Sequence, residues 1–398
     1  MNREDFPMLL NDVVYFDNGA TTYKPKCVID KLTDYYSNYT SNIHRGEYDA
    51  AIKTNKEYDT TREIVRGFIN AKSDNEIVFT SGSTMSINMV VFGFFKKILN
   101  KDDEILLNKA EHASLVLPFI VLQKEIGFKI KYVKLDDNYE LTVDNVKNAI
   151  TDKTKIIALS EISNVVGDIR NTYEIGKLCH DNNIYFLVDA SQAVSHIDVD
   201  VMKDNIDFLA FSAHKMMGPT GVGVLYGKEE LLNEMDPIIY GGGMNQFFEE
   251  DGSYEIKTAP TKFEAGTPAI AEVIALGEAI KYIENVGVDK IHKHELELKK
   301  YLIEEMSKID NIILYNKTSE SGIIIFNLDH VFAQDVAIYL NHYNIAIRAG
   351  NHCTKMLKDD LNIKNTCRVS LYMYNTKEDA DRLLEALRNS EDIFKVVI

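Results

Sequence analysis

The sequence predicts an α/β fold in which a mostly parallel sheet is sandwiched by helices, followed by a smaller α+β unit. Three observations carry that expectation. From about residue 76, short β-branched runs alternate with helical patterns of about 10–15 residues, the rhythm of βαβ units. Two of the runs, Ile156-Ile157-Ala158-Leu159 and Tyr185-Phe186-Leu187-Val188, are apolar without alternation, as strands buried on both faces require. The chain of 398 residues has room for two domains of ordinary size and a sizeable core.

In order along the chain, strands are expected at 76–80, 104–108, 129–135, 155–163, 185–191, 208–212 and 221–227, with helices such as 84–97 and 172–182 between them. Residues 268–308 read as almost continuous helix, broken at Val286-Gly287-Val288. Beyond the break the grammar changes. Strands at 311–315, 322–328, 345–348 and 368–372 mix with helices at 333–342 and 377–388. The simplest division is a large α/β domain over 13–285 and a small α+β domain made of 1–12 and 286–398. With seven prolines and no Pro- or Ser-rich linker, the two are expected to pack together rather than hang on a tether.

Composition narrows the function classes. Apolar residues are 45% and charged residues 26%, the balance of a soluble globular chain and not of a disordered one. A net charge of −17 repels phosphate backbones, so nucleic acid is not expected as a partner. The longest apolar stretch, 115–122, contains Pro118 and falls far short of the roughly 20 residues a membrane span needs, so no membrane is expected. Met1-Asn2-Arg3-Glu4-Asp5 carries two acids and leads into no apolar run, unlike a secretory signal. Cys27, Cys179, Cys353 and Cys367 are too few for a disulfide scaffold, and no Cys/His cluster has zinc-ligand spacing. The expectation is a reduced cytoplasm and no metal.

Ligands of open parallel sheets bind beyond the carboxyl ends of the strands, so the residues there are the candidates. After 76–80 comes Ser81-Gly82-Ser83-Thr84, opening a helix. Small residues, hydroxyls and free helix N–H groups make an anion cradle, although an N-cap and tight turn would read the same way. The run 185–191 brings Asp189, then Ser191 and Gln192, and the next strand is followed by Ser212-Ala213-His214-Lys215 and a Gly/Pro turn. A lone lysine is usually a solvated charge. Paired with an acid at a buried strand tip and a phosphate cradle, it suits pyridoxal 5′-phosphate, which asks for a lysine at its aldehyde carbon, an acid at its ring nitrogen and donors for its phosphate. Cys353 follows a strand and precedes Lys355, Lys358, Asp359 and Asp360, so it does not lie in a buried run. An exposed thiol among charges suits thiolate chemistry, whereas Cys27, Cys179 and Cys367 sit in amphipathic or strand patterns and read as structural.

The segment Phe211 to Gly227, FSAHKMMGPTGVGVLYG, closely resembles the lysine motif of class V, fold-type I (aspartate-aminotransferase-like) pyridoxal phosphate enzymes. Within that class the chain is similar to cysteine desulfurases of the SufS/CsdA (group II) type, a group that includes selenocysteine lyases. The likeness extends through Tyr15–Ala20 (YFDNGA), Ile43–Gly46 (IHRG), Glu111-His112, Ser163–Gly167 (SNVVG), Val188–Gln192 (VDASQ), Lys262–Pro268 (KFEAGTP), Arg348–Cys353 (RAGNHC) and Cys367–Ser370 (CRVS). The resemblance implies that Lys215 binds the cofactor and shuttles the substrate Cα proton. It puts Asp189 at the pyridine nitrogen, Gln192 at the phenolic oxygen and His112 on the ring face. Ser83, Thr84, Ser212 and His214 hold the phosphate, with Thr267 reaching in from the other subunit of a homodimer. Asn164 and Arg368 receive the substrate carboxylate, with Arg348 near it, and Cys353 takes the sulfur of L-cysteine as a persulfide, leaving L-alanine.

Some positions depart from the family pattern: Met85, Leu115, Asn351 and the stretch Gly243-Met244-Asn245-Gln246. Gln334 stands where some relatives carry a His that engages a zinc-bearing sulfur acceptor. The reaction expected is therefore cysteine desulfuration with an acceptor protein of unknown identity, iron–sulfur cluster assembly being the commonest use in the family. L-selenocysteine is the alternative substrate. A class V aminotransferase or β-lyase that forms no persulfide, and a non-catalytic partner protein, are the alternative functions; the second would be expected to have lost Lys215 or Arg368.

Overall fold

Alternate residues along each buried run pack on opposite sides, and that pattern builds the molecule. The computed structural model describes residues 2–44, 46–357 and 365–393; Lys358, Asp359 and Asp360, expected in the polar loop after Cys353, lie outside the described residues, as does Arg45. A short first strand, β1 (Val14–Tyr15), precedes the main run: β2 (Ile77–Thr80), β3 (Glu104–Asn108), β4 (Lys129–Val133), β5 (Thr154–Ser160), β6 (Tyr185–Asp189), β7 (Phe208–Ser212) and β8 (Gly223–Gly227). The last seven form one sheet in the order β2-β8-β7-β6-β5-β3-β4. Only β8 runs against its neighbours. A parallel return needs a crossover of about a dozen residues or more, and only residues 213–222 separate β7 from β8.

Both faces of this sheet are covered. Ile156, Ala158, Leu187 and Phe208 pack with Phe94, Leu115 and Phe119 on one side. Ile157, Leu159, Phe186 and Val188 pack with Val65, Ile175, Ile274 and Ile280 on the other. That double burial is the reason these strands read as unbroken apolar runs. Two helices before residue 76, Lys26–Asn38 and Asp49–Phe68, add to the second face. Their apolar spacing is diluted by Thr, Asp and Lys, so the sequence does not announce them. The helix expected at 84–97 is a helix over Ser83–Val90 continued by a π turn, Val91–Phe95.

After β8 come a hairpin, β9 (Asn245–Phe248) with β10 (Tyr254–Ile256), and two long helices, Ile270–Val286 and Val288–Met306. They meet at Gly287, whose φ of +89° ends the first where the sequence predicts the break. The remaining strands are β11 (Ile312–Leu314), β12 (Ile323–Leu328), β13 (Ile345–Ala346), β14 (Arg348–Gly350) and β15 (Thr366–Ser370). Four of them make an antiparallel sheet, β11-β12-β15-β14, over a core of Leu302, Phe326, Tyr339, Leu340 and Leu383. The single strand expected at 345–348 is divided, because Ile345–Ala346 pair with β1 and Arg348–Gly350 with β15. Arg3 pairs with Asp379 at 2.6 Å and Phe6 lies against Tyr374, closing the start of the chain on its C-terminal part. Among the described residues no helix is long and apolar enough to cross a membrane.

One buried acid has a measurable consequence. Glu161, just past β5, accepts from Thr172 Oγ1 at 3.3 Å, while its Oε2 has no partner. Burial, with the nearby Asp204 carboxylate, pushes its carboxyl up to about 8. The native state then holds a proton that the unfolded chain releases near its ordinary value of 4.5, so stability falls as pH rises between those values. Glu161→Gln is expected to melt with the unaltered protein near about pH 5 and at a higher temperature above about pH 8. Thermal melts across that range check it; a constant difference at all pH would contradict it.

Candidate active site

Strand ends converge on a cavity of about 210 Å³. Past β2, Gly82 has φ +144°, a conformation glycine adopts freely, and it starts the helix that carries Ser83 and Thr84 into the cavity wall. A Cβ on Gly82 would lie 3.3 Å from Ser212 Oγ, so the bare backbone keeps this anion cradle open. Ser83 N donates to Ser212 Oγ at 2.8 Å, and that hydroxyl donates to Ser83 Oγ at 3.0 Å. Past β3, His112 caps the helix Ala113–Ile126, its Nδ1 accepting from Ser114 N at 3.2 Å. Past β5 lies Asn164. β6 ends on Asp189, whose Oδ1 accepts from Ser191 N at 3.0 Å, and β7 runs through Ser212 into one turn of 3-10 helix, Ala213–Lys215.

Electrostatics favour neutral nitrogen bases here. Burial, which outweighs Asp189, draws the Lys215 ammonium below its ordinary range. Burial and then Lys215 lower His112 in the same direction, and they take His214 down to about 4. Both rings are therefore uncharged near neutral pH.

The antiparallel sheet closes the cavity from the other side. Arg348 of β14 and Arg368 of β15 are directly opposed, an unfavourable pairing of like charges. Asp17 offsets it: both its oxygens lie 3.1 Å from Arg348 Nε, and Oδ1 lies 3.1 Å from Arg368 Nη2. Arg368 Nη1 donates to Asn164 O at 2.8 Å, and its buried Nε has no partner. Burial lowers Arg368, only partly countered by Asp17, so its charge is costly as it stands and a second carboxylate would relieve it.

Cys353 is exposed and lines the same cavity. His352 and Cys353 both hold left-handed backbone, φ +51° and +59°, at about 1 kcal/mol or more each. Hydrogen bonds hold that shape. Asn164 Nδ2 donates to His352 O at 2.8 Å, Thr354 Oγ1 donates to Asn164 Oδ1 at 3.2 Å, and Ala113 N donates to Cys353 O at 2.9 Å. The thiols of Cys179 and Cys367 are buried, and burial pushes both up, as it does for the half-buried Cys27.

Ser83, Thr84, His112, Asn164, Asp189, Ser212, His214, Lys215, Arg348, Cys353 and Arg368 all line the cavity. Gln192 does not: its Nε2 donates to Gly19 O at 2.8 Å. Thr267 lies in a separate cleft of about 560 Å³, accepting from Asn42 Nδ2 at 3.2 Å. Asn164 does more than the sequence suggests, since its amide already clamps the Cys353 loop. Of four further lining residues, Gly19, Ala20 and His352 stand in motifs that carry the resemblance but were given no role, Ser114 stands in none, and the bridging role of Asp17 was not legible at all. Leu115 is fully buried and serves the core.

Lysine, acid and anion cradle at the ends of strands of one sheet are what pyridoxal phosphate asks of a protein, and the bare backbone at Gly82 suits its phosphate; the class is that of the fold-type I pyridoxal phosphate enzymes. The family model described as aminotransferase class-V matches residues 14–383. A probable cysteine desulfurase of Staphylococcus aureus (strain Mu50) is 42% identical over 400 residues, covering 98% of this chain and 96% of its own. Another from Halalkalibacterium halodurans is 40% identical over 98% of this chain and 97% of its own. Among solved structures, the apo cysteine desulfurase of Thermococcus onnurineus NA1 superposes with a TM-score of 0.93 at 36% identity, covering 97% of this chain and 96% of that one. The cysteine desulfurase CsdA of Escherichia coli gives 0.92 at 33%, covering 100% and 98%. The chain belongs to the class V aminotransferase family, among its pyridoxal phosphate-dependent cysteine desulfurases.

Proposed function

We propose that this enzyme converts L-cysteine and the Cys353 thiol into L-alanine and a Cys353 persulfide. The observation that carries the proposal is the exposed thiol of Cys353 on the same cavity as Lys215, Asp189 and Arg368. Pyridoxal phosphate, when bound, supplies the electron withdrawal that labilises the substrate Cα proton and weakens the Cβ–S bond. Ser83, Thr84, Ser212 and His214 would hold its phosphate and Asp189 its ring nitrogen, with His112 on its face, while Gln192 would have to release Gly19 O to reach its phenolic oxygen. Lys215, whose burial favours the neutral amine, takes the Cα proton and returns one to the product. Arg368 pairs with the substrate carboxylate through its under-bonded guanidinium, with Arg348 and Asn164 beside it. Cys353 Sγ attacks the substrate sulfur, forming the S–S bond as the Cβ–S bond breaks.

The persulfide is then passed to an acceptor protein, and we assign the sulfur to iron–sulfur cluster assembly in the cytoplasm. Exposure of Cys353 supports hand-over to a partner. We assign a homodimer as well, with Thr267 completing the phosphate site of the other subunit; the cleft around Thr267 and the exposed Tyr240, Phe248 and Tyr254 support it.

Purified, cofactor-loaded protein is expected to release about one alanine per chain from L-cysteine without reductant, and many with it, leaving a persulfide on the Cys353 peptide by mass spectrometry. Reductant-independent turnover, or a keto-acid product, would point to a lyase or aminotransferase. Arg368→Lys keeps the charge but loses the planar fork; KM for L-cysteine is expected to rise about tenfold or more, with kcat less affected. An unchanged KM would remove Arg368 from the carboxylate site.

A further inference from the structure

We propose that Ser114 is a positioning residue whose hydroxyl proton is shared between His112 and Thr84, so that filling the phosphate cradle changes the hydrogen bonding of His112. The proposal rests on the pyridoxal phosphate reading above and deepens it. Ser114 Oγ lies 3.0 Å from His112 Nδ1 and 2.8 Å from Thr84 Oγ1, and it lines the cavity between them.

The directions of these bonds follow from the helix cap. His112 Nδ1 accepts from the backbone N–H of Ser114, so that nitrogen offers a lone pair and carries no proton. In the neutral ring the proton is therefore on Nε2. An unprotonated Nδ1 at 3.0 Å makes the Ser114 hydroxyl a donor to it, which leaves Ser114 lone pairs toward Thr84. Thr84 then donates to Ser114, and a directed chain runs from Thr84 through Ser114 to His112.

A phosphate oxygen without a proton can only accept. Thr84 must turn its proton to such a group, which sets its own lone pairs against those of Ser114 at 2.8 Å. The Ser114 proton relieves that contact by rotating to Thr84. His112 then keeps only the backbone N–H at Nδ1, while its Nε2 proton stays in place. Ser114 thus reports phosphate occupancy to the ring that the mechanism sets on the cofactor face. An alanine at this position would serve the helix cap equally well through its backbone, so the hydroxyl is not needed for folding.

The test uses the full chain, labelled with ¹⁵N histidine, loaded in parallel with pyridoxal phosphate and with pyridoxal, which lacks the phosphate. Side-chain ¹⁵N–¹H correlation is expected to show His112 with its proton on Nε2 in both samples. Its Nδ1 resonance should differ between the two ligands. Ser114→Ala should erase that difference, Ser114→Thr should restore it, and Ser114→Ala should weaken pyridoxal phosphate about fivefold while leaving pyridoxal unchanged. A proton on Nδ1, a ligand-dependent shift that survives in Ser114→Ala, or equal loss of affinity for both ligands would overturn the proposal. Failure of the unaltered protein to take up pyridoxal phosphate would sink the cofactor reading together with it; uptake with a His112 indifferent to Ser114 sinks this proposal alone.

Discussion

Lys215→Ala is expected to lower alanine formation from L-cysteine by about 10⁴-fold or more. The lysine does two things that nothing else in the cavity can do. It is the amine in the turn after β7, the strand that pairs with the β6 ending on Asp189, and burial keeps it closer to neutral than a surface lysine. His112, His214 and His352 are the other nitrogen bases on the cavity wall, and burial takes His352 down to about 3. His214 is drawn down to about 4 by burial and by Lys215 itself, so it is a poor base for a carbon acid. Removing Lys215 takes away the proton carrier, and the variant should lose the cofactor's lysine-bound absorption band while keeping its fold by circular dichroism. Activity within about tenfold of the unaltered enzyme would show that another group moves the Cα proton.

The second large effect is at Cys353. Cys353→Ala is expected to cut alanine formation about 100-fold or more while cofactor and L-cysteine still bind. The reason is geometric. His352 and Cys353 are held in left-handed backbone by hydrogen bonds from Asn164, Thr354 and Ala113, and that strained shape sets the exposed thiol on the cavity wall. No other thiol can stand in: Cys179 and Cys367 are buried in separate cores, and Cys27 lies outside the cavity. Substrate turnover in single-turnover and reductant-driven assays distinguishes the outcomes. Full turnover by Cys353→Ala would rule the thiol out as nucleophile and favour a lyase.

Much of this was present in the linear order of residues. The alternation of apolar strands and helices after residue 76 is a local signal, and double burial of β5 and β6 makes it strong, because every residue of those runs must be apolar. Gly82, Asp189 and Lys215 were legible as residue types at or just past strand ends, where an open sheet binds ligands, and Cys353 as a thiol followed by charged residues. The helices Lys26–Asn38 and Asp49–Phe68 and the hairpin β9–β10 were not, since their pattern is polar or their faces exposed.

The tertiary structure decided the rest, and in each case the physical cause is a contact between residues far apart in the chain. The direction of β8 depends on how short its connection is compared with a crossover. Asp17 neutralises two arginines that strand pairing forces together, one of them 351 positions away. Asn164 is 188 positions from the His352 carbonyl that it clamps. Ser114 meets Thr84 only because β2 and β3 end on the same rim of the sheet. The sequence by itself determined which chemical groups are available and which strand tips carry them. Only the fold decided which groups share a proton or a charge, because hydrogen bonds and ion pairs act over a few ångströms of space and take no account of distance along the chain.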